Sequence, residues 1–437
     1  MKNMGLACVI LAALAVTTPS FATLQVDVTQ GNPQPLPIAI PDFAASAPGD
    51  TALGQNIAKI VRADLDRSGL FKPLDPKSFI DKVSDINAEP KFADWRIITA
   101  QGLVTGQAQT LPDGRVRASF RLWDVYAEKY LIGQMVTALP SEWHRVPHKI
   151  SDMIYESITG EKGYFDSRIV FISESGPALH RKKRLAIMDE DGANEKFVTD
   201  GSYLVLTPRF NPAMATQMIA YMSYIVGKPR VYLLDLESGR EDKLGEFSNM
   251  TFSPRFSSDG NKVAMSLEQG GNSNIYVMDL RTRTSTRLTY NPSIETSPSF
   301  SPDGKQITFE SDRGGSQQIY VMNADGSNQH RISFGEGRNG TPVWSPRGDL
   351  IAFTKQSGGS FRIGVMRSDG TGERILTTGW EDEGPTWAPN GRVLMFTRTI
   401  EGGRGAQIWS VDITGRNERH VETHGDASDP AWSPLLQ

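Results

Sequence analysis

Short apolar runs separated by tight turns fill the chain beyond residue 168, and that pattern repeats. A Pro-x-aromatic triplet occurs at Pro208-Arg209-Phe210, Pro254-Arg255-Phe256, Pro298-Ser299-Phe300, Pro342-Val343-Trp344, Pro385-Thr386-Trp387 and Pro430-Ala431-Trp432. The prolines are 46, 44, 44, 43 and 45 residues apart. Each copy continues alike. After Phe300 come Ser-Pro-Asp-Gly (301–304), a run to Glu310, Gly314-Gly315, the run Gln318 to Met322, Asp325-Gly326 and the run His330 to Ser333. Proline presets a turn and glycine completes it, so each copy predicts four short strands joined by three tight turns. The third strands, Val231 to Asp235, Ile275 to Asp279 and Ile319 to Asn323, are apolar on both faces. Strands packed between neighbouring sheets read this way.

Four strands in roughly 40–50 residues make a β-propeller blade. Five full units run from about 205 to 423. Before them, Ile169-Val-Phe-Ile172, Leu185 to Asp189 and Lys196 to Thr199 supply strands two, three and four without a first. After them, Pro430-Ala-Trp-Ser-Pro434 supplies a first strand alone. The two fragments sum to a sixth blade, and the ring closes with no exposed sheet edge.

The N-terminal third carries no copy of the repeat. Leu24 to Val28 alternates like a strand, Gly31 to Pro37 is turn-rich, and Pro37 to Ile40 is a second short strand. Asp50 or Thr51 caps a helix through about Arg67, stopped by Gly69, with Leu53, Ile57, Ile60, Val61 and Leu65 at helical spacing. Val116 to Leu122 pairs with Leu103-Val-Thr-Gly across Asp113-Gly114. His144 to Ile158 is a helix with Val146, Ile150, Ile154 and Ile158 on one face. The expected class is mainly β with α/β: a small N-terminal α/β domain (23–160), then a six-bladed β-propeller (168–437) closed by its C-terminal strand.

Composition narrows the class. The chain has 437 residues, 38% hydrophobic and 22% charged, enough apolar material for a sizeable core. Lys+Arg number 46 and Asp+Glu 50, so no basic excess points to nucleic acid. Lys2, the apolar run Gly5 to Val16 and Ser20-Phe21-Ala22 form a secretory signal peptide over 1–22. The single cysteine, Cys8, lies inside it, so thiol catalysis and Cys-ligated metals are excluded from the mature chain. No other run is long enough to span a bilayer, and a soluble monomer is expected.

Several motifs invite chemistry. Gly335-Glu-Gly-Arg-Asn-Gly340 matches a dinucleotide fingerprint, but a blade strand follows it where a helix is needed, so it reads as an inter-blade loop. His180-Arg-Lys-Lys-Arg184 reads as a solvated turn. His144 and His148 stand at i, i+4 without the Glu of a zinc motif, and read as helix surface. No Gly-x-Ser-x-Gly elbow exists. Glu381-Asp-Glu383 leads into Pro385. In a closed ring its counterparts Met250-Thr-Phe-Ser253, Glu295-Thr-Ser297, Asn339-Gly-Thr341 and Asp426 to Asp429 gather at one channel mouth, a concave loop surface suited to binding.

A signal peptide, a small α/β domain and a six-bladed propeller with aromatic-Ser-Pro-Asp-Gly repeats together resemble the TolB family of Gram-negative bacteria. Gln30-Gly31, Pro37-Ile-Ala-Ile-Pro-Asp-Phe43, Arg67-Ser-Gly-Leu-Phe71 and Pro430 to Pro434 carry the resemblance. It implies a non-enzymatic periplasmic role in the Tol–Pal system, without cofactor or metal. It implies a Pal-binding propeller face of Met250, Thr251, Ser253, Glu295, Thr296, Asn339, Thr341, Asp382, Glu383 and Asp429. It also implies a TolA-binding strand of Leu24, Gln25, Val26, Asp27, Val28 and Thr29, and contacts with other outer-membrane or peptidoglycan-associated proteins. Met250 stands where some members carry histidine. The alternatives are a propeller hydrolase or lyase using channel carboxylates, and a binder of sugars or peptidoglycan fragments.

Overall fold

The structure, a computed structural model, describes all residues except 1–23, 27–33, 82–84, 178–179, 214–216, 246, 400–401 and 403–404. The proposed signal peptide and Asp27, Val28 and Thr29 lie outside the described residues.

The N-terminal domain is a mixed sheet covered on one face by two helices. Leu36–Ala39 pairs in parallel with Phe71–Pro73 and with Gly102–Thr110. Gly102–Thr110, Val116–Asp124 and Lys129–Ala138 then form an antiparallel meander. Helix α1 (Thr51–Arg67) buries Ile57, Val61 and Leu65 at i, i+4, i+8 against this sheet. A six-residue helix, α2 (Phe92–Ile97), was not foreseen. It anchors Phe92 and Trp95 beside Leu103 and Trp123 in a separate apolar cluster. Helix α3 (Arg145–Thr159) buries Val146, Ile150 and Ile154 and ends at Gly160 with φ 73°. The strand Lys129–Ala138 was also missed, because its residues are largely exposed and show no clean alternation. Asp50 does not cap α1 with its side chain; its Oδ1 accepts from the Thr110 amide at 3.0 Å. Leu24 to Val26 is not a strand. The Leu24 amide donates to Asp124 Oδ2 (3.1 Å), the Val26 amide to the Ile158 carbonyl (3.2 Å), and Val26 is buried in the domain core.

Six four-stranded blades follow. Blade 1 has the strand order Asp426–Trp432, Arg168–Ser175, Lys182–Asp189, Lys196–Phe197. The inner strands of blades 2 to 6 are Val205–Phe210, Thr251–Phe256, Glu295–Phe300, Arg338–Trp344 and Glu381–Trp387. Each inner strand packs beside the next, and Asp426–Trp432 touches both Glu381–Trp387 and Val205–Phe210, so the ring is closed. The C-terminal strand pairs antiparallel with Arg168–Ser175, from Asp426 opposite Glu174 to Trp432 opposite Ile169.

The Ser-Pro-Asp-Gly turns form as read. In blade 4 the Gly304 amide bonds the Ser301 carbonyl (2.9 Å), and Ser301 Oγ donates to Asp303 Oδ1 (2.6 Å). The next turn outward joins the blades. In blade 5, Gly370 has φ 84°, and a Cβ there would lie 2.1 Å from the Ile332 carbonyl oxygen of blade 4. Neither the conformation nor the space admits another residue. Two sequence readings need correction. Lys182 to Arg184 are the start of a strand, not a turn. Glu381 to Glu383 and their counterparts, Met250 excepted, belong to the inner strands, not to loops.

The domains meet at the end where the Ser-Pro-Asp-Gly turns lie. Glu161 accepts from Arg347 Nη1 (2.9 Å) and Arg392 Nε (2.7 Å), and Asn390 Nδ2 bonds the Lys162 carbonyl (3.1 Å). Trp432 Nε1 donates to Ser167 Oγ (2.7 Å), and Tyr164 and Phe165 share one core with Ala388, Met395 and Trp432.

Gly370→Ala combines left-handed strain with overpacking and is expected to cost about 3 kcal/mol in chemical unfolding. Gly358→Ala, where φ is 60° but no atom lies within 4 Å, supplies the strain-only control and is expected to cost about 1–2 kcal/mol.

Candidate functional site: the channel mouth

Each inner strand is kinked once, just before its proline. Register shifts fall between Leu206 and Arg209, Phe252 and Arg255, Thr296 and Ser299, Gly340 and Val343, Glu383 and Thr386, and Ser428 and Ala431. The pre-proline residue has positive φ every time: Thr207 49°, Ser253 53°, Ser297 54°, Thr341 46°, Gly384 64° and Asp429 52°. The extra residue of a bulge re-aims the strand.

This kink sorts the sequence-derived residues. The position three before the proline is buried in all six blades, at Val205, Thr251, Glu295, Asn339, Asp382 and Ala427. Four residues expected on the partner-binding face are thus buried, Thr251, Glu295 and Asn339 with partners in the preceding blade and Asp382 within its own. Thr251 Oγ1 accepts the Val231 amide (3.1 Å). Glu295 meets Arg313 and accepts from Asn274 Nδ2 (3.3 Å). Asn339 Nδ2 donates to Gln318 Oε1 (3.0 Å). Asp382 takes a bidentate pair from Arg398 (2.6 and 2.8 Å).

In blades 5, 6 and 1 the next two positions line a cavity at the mouth. Thr341, Glu383 and Asp429 border this cavity, of about 500 Å³, with Gly384 and Ser428. Thr341 donates its amide to Glu310 Oε2 (2.7 Å), and Asp429 donates its amide to Thr397 Oγ1 (2.9 Å). Thr296 is nearly buried and hydrogen-bonded to Glu310, and Ser253 is half-buried. Met250 is exposed in the loop ahead of its strand. Glu383 is exposed to the channel, and partial desolvation by the channel wall, with Glu381 and Asp429 beside it, raises its carboxyl above its ordinary value. Sequence reading missed Glu174 and Glu310, which also face this cavity. Glu174 is held by Lys183 Nζ (2.8 Å) and Ser428 Oγ (2.6 Å).

Apart from Met250, the rim was missed as well. Tyr203, Leu204, Met250, Tyr290, Ile294, Phe334 and Trp380 are all exposed, and all lie in loops entering the inner strands of blades 2 to 6. Large apolar side chains left uncovered around one opening mark a contact surface. The Pro-x-aromatic residues differ: Phe256, Trp344, Trp387 and Trp432 are buried. At the opposite channel end a cavity of about 350 Å³ contains Arg209 and Arg255. Burial lowers the pKa of both guanidinium groups, and Arg209 beside it lowers Arg255 further. His148 also departs from its reading as helix surface, since it is buried at the domain junction.

The architecture is a six-bladed propeller on a small α/β domain, with an apolar-rimmed mouth. Models of the TolB beta propeller domain and of the TolB amino-terminal domain match residues 155–436 and 24–131. The chain is 60% identical over 432 residues to the Tol-Pal system protein TolB of Paramagnetospirillum magneticum, covering 98% of this chain and 96% of that one. It superposes on TolB from Acinetobacter baumannii with a TM-score of 0.81 at 29% identity, over 94% of this chain and all of the other. The chain belongs to the TolB family. Among the described residues no helix is long and apolar enough to cross a membrane.

Because the folded state holds the Glu383 proton more tightly than the unfolded chain, ionisation costs the fold. That cost is absent below the ordinary value of 4.5 and grows as pH rises above it. Glu383→Gln should thus raise the unfolding midpoint near neutral pH, the gain vanishing as pH falls to about 4.5. A gain constant across that range contradicts the assignment.

Proposed function

We propose that this chain is a non-enzymatic periplasmic adaptor of the Tol–Pal system. It binds the Pal lipoprotein at the propeller mouth and TolA through the N-terminal segment around Leu24 to Thr29. In that role it supports outer-membrane integrity and envelope constriction during division. The observation that carries the reading is the ring of exposed apolar residues around the mouth, at the end of the channel away from the N-terminal domain. Family membership supports the Tol–Pal setting. A docked protein covers such a rim, whereas a small sugar would occupy the cavity alone.

The N-terminal segment suits a linked role. Among its described residues, Val26 is buried and the Leu24 and Val26 amides bond Asp124 and Ile158; release of the segment exposes an extended chain able to join a partner's sheet edge. If Pal prefers one state and TolA the other, binding of one biases the other.

Titration of the protein with the soluble domain of its own Pal is expected to give saturable one-to-one binding in calorimetry. Ile294→Arg or Trp380→Ala should weaken it about tenfold or more, about 1.4 kcal/mol each. Absence of binding, or indifference to both substitutions, rejects the mouth as the Pal site. Deletion of residues 23–29 should abolish TolA binding and spare that of Pal; loss of both, or of neither, refutes the second assignment.

A further inference from the structure

At the domain junction, two histidines of α3 and two aspartates of blade 1 converge. His144 and His148 stand one turn apart. Asp189 ends the strand Lys182–Asp189 and Asp191 lies in the turn that follows. One donor atom from each of the four lies within 4.8 Å of all the others. His144 Nε2 is 3.0 Å and His148 Nε2 3.8 Å from Asp191 Oδ2. Zinc bonds near 2.0–2.2 Å in a tetrahedron set ligand atoms about 3.3 Å apart, between those two values.

His148 is the decisive residue. Its Nδ1 faces Asp64 Oδ2 at 2.8 Å, and Asp64 is fixed in turn by Ser151 Oγ (2.8 Å). Its Nε2 is buried and has no hydrogen-bond partner. With Nδ1 committed to that carboxylate, Nε2 is the ring atom a cation would meet, and binding there displaces the proton that, against the cost of burial, Asp64, Glu190 and Asp191 hold on the imidazole up to a pKa of about 10. The Nδ1–carboxylate pairing is the outer arrangement that orients metal-bound histidines. The aspartates are held too. Asn194 Nδ2 donates to Asp189 Oδ2 (2.6 Å) and the Ala193 amide to Asp191 Oδ1 (3.0 Å). The turn is closed by the Gly192 amide on the Asp189 carbonyl (3.0 Å) and the Asp189 amide on the Ala193 carbonyl (2.8 Å). A cavity of about 170 Å³ bordered by His144, Asp189 and Asn194 offers an entry path.

We infer that His144, His148, Asp189 and Asp191 form a site for a divalent first-row transition cation, zinc above all, which clasps α3 to blade 1. Two imidazole nitrogens disfavour calcium and magnesium, which take oxygen ligands. All four positions carry protein ligands, so the site is structural rather than catalytic. The bound ion bridges the two domains and stabilises their junction by mass action.

The test uses the full chain without a histidine tag, stripped with chelator. Titration with Zn²⁺ should show one equivalent bound and a raised unfolding temperature, and Co²⁺ should give the visible absorption of a tetrahedral centre. His144→Ala should weaken Zn²⁺ binding at least about tenfold; His144 makes no side-chain cap to α3, so the fold should survive. Asp191→Asn, checked by near-ultraviolet circular dichroism, provides a second variant with the same expected loss. No stoichiometric uptake, or uptake unchanged in both variants, overturns the site.

Discussion

The kink before each inner-strand proline is the constraint on which the propeller depends. Proline has no amide to give a ladder, so it is tolerated within a sheet only at an edge or a bulge. Here it sits at a bulge six times, and the residue ahead of it takes a left-handed backbone that only Gly384 adopts without penalty. The strand bends as it runs down the channel. Above the kink, one residue of each blade is buried, and in blades 5, 6 and 1 the next two border the cavity at the opening. The mouth is thus a by-product of how six strands fit around one axis. Its chemistry can vary from blade to blade while its geometry stays fixed.

Much of this was legible in the sequence. Proline spacing gave the number of blades, and the lone terminal triplet gave the closure, because both rest on local turn chemistry that needs no long-range information. The spacing could not say which way a side chain faces near a bulge. Strict alternation from Pro385 fails at Glu383, and so Asp382 reads as a mouth residue when it is sealed against Arg398. The rim escaped notice because Tyr290, Phe334 and Trp380 occur singly in loops, where one apolar residue carries no period. The buried His148 was hidden for a different reason: its partners Asp64 and Asp191 are distant in sequence and come from both domains.

The arrangement of domains gives the molecule two separate ends. Glu161, Arg347, Arg392 and Asn390 tie the α/β domain to the turns at one end of the channel. The apolar rim surrounds the other. Leu24 to Val26 packs on the α/β domain and touches neither the rim nor the cavity. Any influence of one end on the other must therefore travel through the junction, where buried charges such as Asp64, Glu190 and Arg67 pack among aromatic rings. A junction of that kind is stiff, and stiffness favours transmission over absorption of a small shift.

The closing strand has a temporal meaning. Ser428 and Glu174 are hydrogen-bonded although 254 residues separate them. Such a contact is among the slowest to form, because all the intervening chain must first be gathered. Until it forms, Arg168–Ser175 keeps an unpaired edge open to any passing strand. A chain that lacks its last residues cannot satisfy that edge. The order of synthesis thus leaves the first-made strand of the ring waiting on Asp426–Trp432, the last-made, for its partner.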